Sequence, residues 1–237
     1  MTRARGLFVV GTDTGVGKTT VACGLLRLAL RRGLRPVPFK PVETGCDPNP
    51  LDAWALWRAS GERVPRESVC AYAFRLPAAP SLAAQSEGVR IDIDRLVTRA
   101  RELAAAGDWL LVEGAGGLLV PYARGVTARD LLAAIGLPVL VVARTSLGTI
   151  NHTSLTIRET LRTGVPIAAV LLSQTDPAVG PQEFGNADLI SDVTGLRPLG
   201  PLPYLPATVR ADPDALADAL EAALEPTALD ALLAAAD

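Results

Sequence analysis

The chain is poor in lysine, histidine and aromatic residues. Of its 23 basic residues only Lys18 and Lys40 are lysines, His152 is the single histidine, and aromatics make up 4% of 237 residues. A lone histidine at the start of a helix-patterned segment reads as a cap or packing residue rather than a catalytic base. The three cysteines, Cys23, Cys46 and Cys70, are odd in number and form no C-x-x-C pair. That fits reduced thiols and argues against a disulfide framework or a zinc site. A net charge of −2 with no basic block leaves no footprint for a nucleic-acid backbone. No apolar run approaches a transmembrane length, and the four apolar residues between Arg5 and Gly11 other than Gly6 are too few for a signal-peptide core. The expectation is a cytoplasmic protein with no membrane or nucleic-acid partner. Without linker or repeat, residues 1–237 are expected to form a single domain, its core built from Leu, Val and Ala.

What is present begins at Leu7. The short apolar run to Val10 reads as a buried strand, a Gly-rich turn follows, and Ala22, Leu25, Leu26 and Ala29 then mark one apolar face of a helix stopped by Gly33. Strand, glycine turn and helix around Gly17-Lys18-Thr19 are the context of a phosphate-binding loop. Its backbone N–H groups and the helix N-terminus favour an anion, and Gly11, Gly15 and Gly17 allow close approach. Asp13, Thr14, Gly15, Val16, Gly17, Lys18, Thr19 and Thr20 form the candidate nucleotide-binding set, with Lys18 on the terminal phosphates and the Thr19 hydroxyl on Mg²⁺. Five residues separate Gly11 from Gly17, where the standard loop has four.

Further on, Val37–Lys40 reads as a strand that Pro36 and Pro38 push toward a sheet edge or a short length. Lys40-Pro-Val-Glu-Thr-Gly45 follows where open α/β sheets place ligands. Asp52 is either the N-cap of a short helix over Ala53–Ala59 or a metal ligand; a cap is the commoner reading. Cys70–Phe74 reads as a strand and Pro77–Gly88 as a loop over the site. A helix ends at Gly107, and the strand Trp109–Val112 delivers Glu113 beside Gly114, Gly116 and Gly117, either as a metal site or as a solvated strand end. Leu137–Ala143 and Ile167–Leu172 are strands. A helix over Asn151–Leu161 could hold a carboxylate at its start, and another is expected over Glu183–Thr194. Leu199–Leu202 is a short strand, and Asp212–Ala235 is Ala-rich, mostly helical and expected to pack on the surface. Alternating strands and helices imply an α/β fold with a mostly parallel sheet covered on both faces.

Three segments, Gly11 to Thr19, Lys40 to Gly45 and Val112 to Gly117, together resemble the dethiobiotin synthetase family, which has the same five-residue loop spacing. Gly148-Thr-Ile-Asn-His152 is similar to that family's substrate-carboxylate segment. The resemblance implies a P-loop NTPase-like fold, ATP and Mg²⁺ as cofactors, 7,8-diaminononanoate and CO₂ as substrates, dethiobiotin as product, and a homodimer. By position it implies Thr19, Asp52 and Glu113 around Mg²⁺, and Lys18, Lys40 and Thr44 in catalysis. It also implies Thr14, Lys40, Thr44, Gly148, Thr149, Ile150 and Asn151 toward the substrate. Where the family commonly presents an asparagine to adenine, this chain has Ser173 followed by Gln174; either Gln174 supplies the amide or the site accepts several nucleoside triphosphates. Two other readings remain: another P-loop ligase or amidotransferase synthetase, and a nucleotide-switch ATPase. Arg at either lysine is expected to cost turnover with thermal stability nearly unchanged.

Overall fold

The computed structural model describes residues 5–178, 180, 183 and 185–234. In chain order the elements are β1 (Gly6–Gly11), α1 (Lys18–Arg31), β2 (Pro36–Thr44), α2 (Leu51–Ala59), a 3-10 turn at Arg66–Ser68, β3 (Cys70–Phe74), α3 (Pro80–Ser86) and α4 (Ile93–Ala105). There follow β4 (Trp109–Gly117), β5 (Pro121–Ala123), β6 (Val126–Thr127), α5 (Ala128–Ile135), β7 (Val139–Arg144), α6 (Thr149–Leu161) and β8 (Ile167–Ser173). The chain continues through α7 (Asn186–Thr194), β9 (Leu199–Leu202), α8 (Ala207–Arg210), α9 (Pro213–Ala223) and α10 (Pro226–Ala234). Seven parallel strands form one sheet in the order β3-β2-β4-β1-β7-β8-β9, and β5 and β6 make a separate antiparallel pair.

Both faces of the sheet are buried, which is why its strands read as continuous apolar runs. Phe8, Val10, Val112 and Val141 face a core shared with α3 to α7, whereas Leu7, Val9, Leu111 and Leu140 face one shared with α1, α9 and α10. Helix α2 contributes Ala53 to the first core and Leu56 and Ala59 to the second. β1 lies between β4 and β7, so the loop after it opens at the C-terminal edge of the sheet where strand order reverses, the usual ligand crevice of such folds.

Four expectations are corrected. β2 is neither short nor an edge: it runs nine residues between β3 and β4. The Lys40 N–H points toward β3, donating to Val69 O at 2.8 Å, so Pro36 and Pro38 face the β3 side before that strand has begun. Pro41 faces the β4 side beyond Phe39, where the registered pairing stops. Each proline therefore stands where no ladder donor is required. Within the expected Pro77–Gly88 loop, α3 forms because Pro80 occupies the first helical turn and Ala83 and Ala84 are buried. The C-terminal helices are not merely superficial: Leu216, Leu220, Leu229 and Leu232 are buried in the second core. Gly24 admits α9 against α1, since a Cβ there would stand 2.5 Å from Leu220 Cδ1. Asp52 is not an N-cap, because α2 begins at Leu51 with Pro50 in that position.

Smaller boundary differences concern α6, which starts at Thr149, and α7, which starts at Asn186; Pro181, Gln182, Phe184 and Ala235 lie outside the described residues. Among the described residues no helix is long and apolar enough to cross a membrane.

Candidate active site

Gly17 opens α1 in the left-handed conformation, φ 94°, and a Cβ on it would stand 2.7 Å from Ser173 Oγ. Only glycine fits both demands. At Gly11 a Cβ would lie 2.9 Å from Lys18 Nζ, so the bare backbone makes room for the lysine to fold back across the loop and donate to Asp13 O at 2.9 Å. Burial pulls the Lys18 pKa down to about 8. Asp13 braces the loop from outside: one carboxylate oxygen accepts from Thr14 N at 2.7 Å and the other from Arg144 at the end of β7. Val16 is buried in the second core, which leaves only its main chain to the loop. Gly117, at the end of β4, lies in register with Gly11.

Beside this loop four side chains converge. Thr19 Oγ1 donates to Glu113 Oε1 at 2.8 Å, and Lys40 Nζ donates to the same oxygen and to Asp52 Oδ2 at 3.0 Å. Glu113 is wholly buried, and its second oxygen, Oε2, is buried without a hydrogen-bond partner. Burial opposes the charge on Lys40, but attraction to Glu113 and Asp52 outweighs it and holds the ammonium above the ordinary lysine range. At Asp52 burial would raise the pKa, yet Lys40 more than compensates and lowers it. The glutamate is therefore not a solvated strand end. Among the described residues no group of three or more His, Cys, Asp or Glu could hold a metal. Two carboxylates and a hydroxyl are instead what Mg²⁺ takes when phosphates and water complete its shell.

Glu43 is the residue that sequence reasoning passed over. Its two carboxylate oxygens accept from Asp52 N and Ala53 N, each at 2.9 Å. A signal was available: Pro50 before the helix has no acceptor side chain, so the first-turn N–H groups needed one from elsewhere.

At the other end of the loop, Gly15, Gly17, Thr20, Ser173, Gln174 and Arg210 line a small cavity. Gln174 Oε1 accepts from Tyr204 N at 3.2 Å. A backbone N–H only donates, so this bond sets the amide orientation, takes one of the two lone pairs of Oε1 and leaves the NH₂ group and the second lone pair for a ligand. Gly148 precedes α6 at φ 92°, and the Thr149 hydroxyl is turned inward onto Arg144 O at 2.6 Å. Ile150 packs against the core and Asn151 is exposed, so this helix start offers an anion its main-chain N–H groups. A groove of about 960 Å³ between α3 and the β5–β6 pair lies to one side, and none of the four clustered side chains lines it.

Comparison with known proteins bears on this geometry. A family model described as an AAA domain matches residues 5–212. The chain is 50% identical over 207 residues to the ATP-dependent dethiobiotin synthetase BioD of Anaeromyxobacter dehalogenans (strain 2CP-C), covering 87% of this chain and 93% of that one. It is 36% identical over 204 residues to the protein of the same name from Bacillus licheniformis, covering 85% and 86%. The chain belongs to the ATP-dependent dethiobiotin synthetase family. Among solved structures, the MinC:MinD cell division complex of Aquifex aeolicus aligns with a TM-score of 0.56 at 16% identity, covering 97% of this chain and 93% of that one. At that identity the likeness speaks to the P-loop fold alone.

In this dethiobiotin synthetase family member, Lys18 and Thr19 come from α1, Lys40 from β2, Asp52 from α2 and Glu113 from β4. Four elements thus deliver five side chains to one point on the sheet edge. Thr44 ends β2 half-buried, and Gly114 and Gly116 keep the strand carrying Glu113 close to β1 and the loop: a Cβ on Gly114 would meet the Phe8 ring at 3.3 Å.

Proposed function

We propose that this chain is an ATP-dependent ligase that converts 7,8-diaminononanoate and CO₂ to dethiobiotin, acting in the cytoplasm as a single-domain homodimer. The observation that carries the reading is the unpartnered, buried Oε2 of Glu113 beside Thr19, Lys40 and Asp52. A buried carboxylate oxygen without a donor is costly unless a cation completes it. Thr19, Asp52 and Glu113 would hold Mg²⁺, which supplies charge neutralisation at phosphate oxygens when bound. One amine of the substrate takes up CO₂ as a carbamate, the γ-phosphoryl group passes from ATP to the carbamate oxygen, and the second amine attacks the carbon and expels phosphate. Carbamate and triphosphate are both anions, so Lys40 and Lys18 draw them together and the loop N–H groups orient the transferring group. Lys40 is held charged by its carboxylates, which suits an electrostatic role and not that of a base. The α6 start and Thr44 face the substrate, and the exposed Leu119, Leu147 and Leu155 near that helix fit a second copy of the chain.

Phosphate release measured with ATP, Mg²⁺, bicarbonate and diaminononanoate, each omitted in turn, tests the function. Release that needs all four is expected; brisk release without the diamine would favour the nucleotide-switch reading. Asp52→Asn preserves shape and any capping ability, so the cost we expect, about tenfold or more in turnover at limiting Mg²⁺, belongs to the metal site. Wild-type rates at limiting Mg²⁺ would remove Asp52 from that site. The base is expected to be read loosely, because Ser173 carries no amide and the Gln174 amide oxygen is already tethered to Tyr204 N. GTP and CTP should support turnover within about tenfold of ATP, one such contact being worth on the order of 1 kcal/mol. Steady-state rates check this, and a preference of several hundredfold for ATP would show that another group reads the base.

A further inference from the structure

An N-cap side chain ordinarily accepts from the N–H groups of the second or third helical residue. In α2 these are Asp52 and Ala53, and Pro50 at the cap position has nothing to accept with. Glu43 takes both N–H groups, one on each oxygen. It stands on β2 three positions after Lys40, and Lys40 holds the Asp52 side chain. The backbone of Asp52 is therefore fixed by one residue of β2 and its carboxylate by another. Glu43 is itself buried, 8% exposed, where an anion at a helix N-terminus is favoured by the helix dipole. We infer that Glu43 is a positioning residue for the reaction, acting through Asp52: it caps α2 from the neighbouring strand and so sets the Asp52 carboxylate against Lys40 and the metal position. The inference rests on the reading of Asp52 as a metal ligand.

The test compares wild type, Glu43→Gln, Asp52→Asn and the double variant, following turnover against Mg²⁺ and binding of a fluorescent ATP analogue with and without Mg²⁺. In Glu43→Gln one N–H meets the amide oxygen and the other faces the NH₂ group, so the turn is loosened and not erased. Half-saturation by Mg²⁺ should rise about tenfold or more, as when a partner orienting a metal ligand is lost. Saturating Mg²⁺ should recover most of kcat, and analogue binding without Mg²⁺ should be unchanged. The double variant should be no worse than Asp52→Asn, because Glu43 acts through that residue. Adding Pro50→Asp to Glu43→Gln supplies a local acceptor to the same two N–H groups and should restore the Mg²⁺ requirement, which also keeps the test open if Glu43→Gln alone folds poorly. A lowered unfolding temperature with unchanged Mg²⁺ dependence in Glu43→Gln would reduce Glu43 to a structural cap and overturn the inference. So would additive losses in the double variant. If Asp52→Asn itself leaves the Mg²⁺ dependence unmoved, the metal reading fails and the inference with it.

Discussion

Lys40→Arg is expected to lower turnover by at least ~100-fold, the scale of losing one placed transition-state cation. The side chain is 3% exposed, and its ammonium sits between Asp52 and Glu113. A planar guanidinium on a longer stem cannot put a point charge there without moving one of the carboxylates. Lys18→Arg should cost as much, since Lys18 lies folded into the space that Gly11 leaves open. Burial also revises the expectation of unchanged stability. Overfilling a packed site costs roughly 1–3 kcal/mol, so thermal unfolding of Lys40→Arg should come at a lower temperature. Steady-state rates and calorimetry check both parts, and near-normal rates would remove that lysine from the mechanism. The wider hypothesis is that this chain uses arginine where a surface charge suffices and keeps lysine for compact cations. It is supported by the fact that its only two lysines, Lys18 and Lys40, are both buried at one site.

Glu113→Gln should have the other large effect. The substitution keeps the shape, removes a charge from the proposed metal position and leaves Lys40 with Asp52 as its remaining anionic partner. Turnover at limiting Mg²⁺ should fall by about 10–100-fold or more. Stability should also drop, by less than the roughly 3–5 kcal/mol seen when a buried charge loses its sole partner, because Asp52 still pairs with Lys40. Mg²⁺ titration and urea unfolding measure the two. Unchanged activity at limiting Mg²⁺ would take Glu113 out of the metal site.

The layered fold was legible because the strands are apolar on both faces and the phosphate loop carries its own punctuation. The prolines of β2 misled, because whether a proline spoils a strand depends on which neighbour begins where, and β3 starts only at Cys70, opposite Lys40. Lys18, Thr19 and Glu113 could be singled out from adjacent glycines and strand ends. Asp52 could not be assigned, since cap and ligand leave the same local pattern; what removes the cap reading is Glu43, nine residues earlier in the chain and in contact only once β2 and α2 pack. The cavity at Ser173 was half legible: that serine is visible in the sequence, but the setting of Gln174 depends on Tyr204, thirty residues away.

On the proposed reading, this site joins CO₂ to a diamine at the expense of ATP. The most direct measurement supplies ¹³C-labelled bicarbonate with 7,8-diaminononanoate, ATP and Mg²⁺ and follows the carbon by NMR alongside phosphate release. The expected result is label in the ureido carbon of dethiobiotin, appearing in step with phosphate and slowed by at least ~100-fold in Lys40→Arg. Phosphate release without labelled product, or labelling that proceeds without ATP, would contradict it.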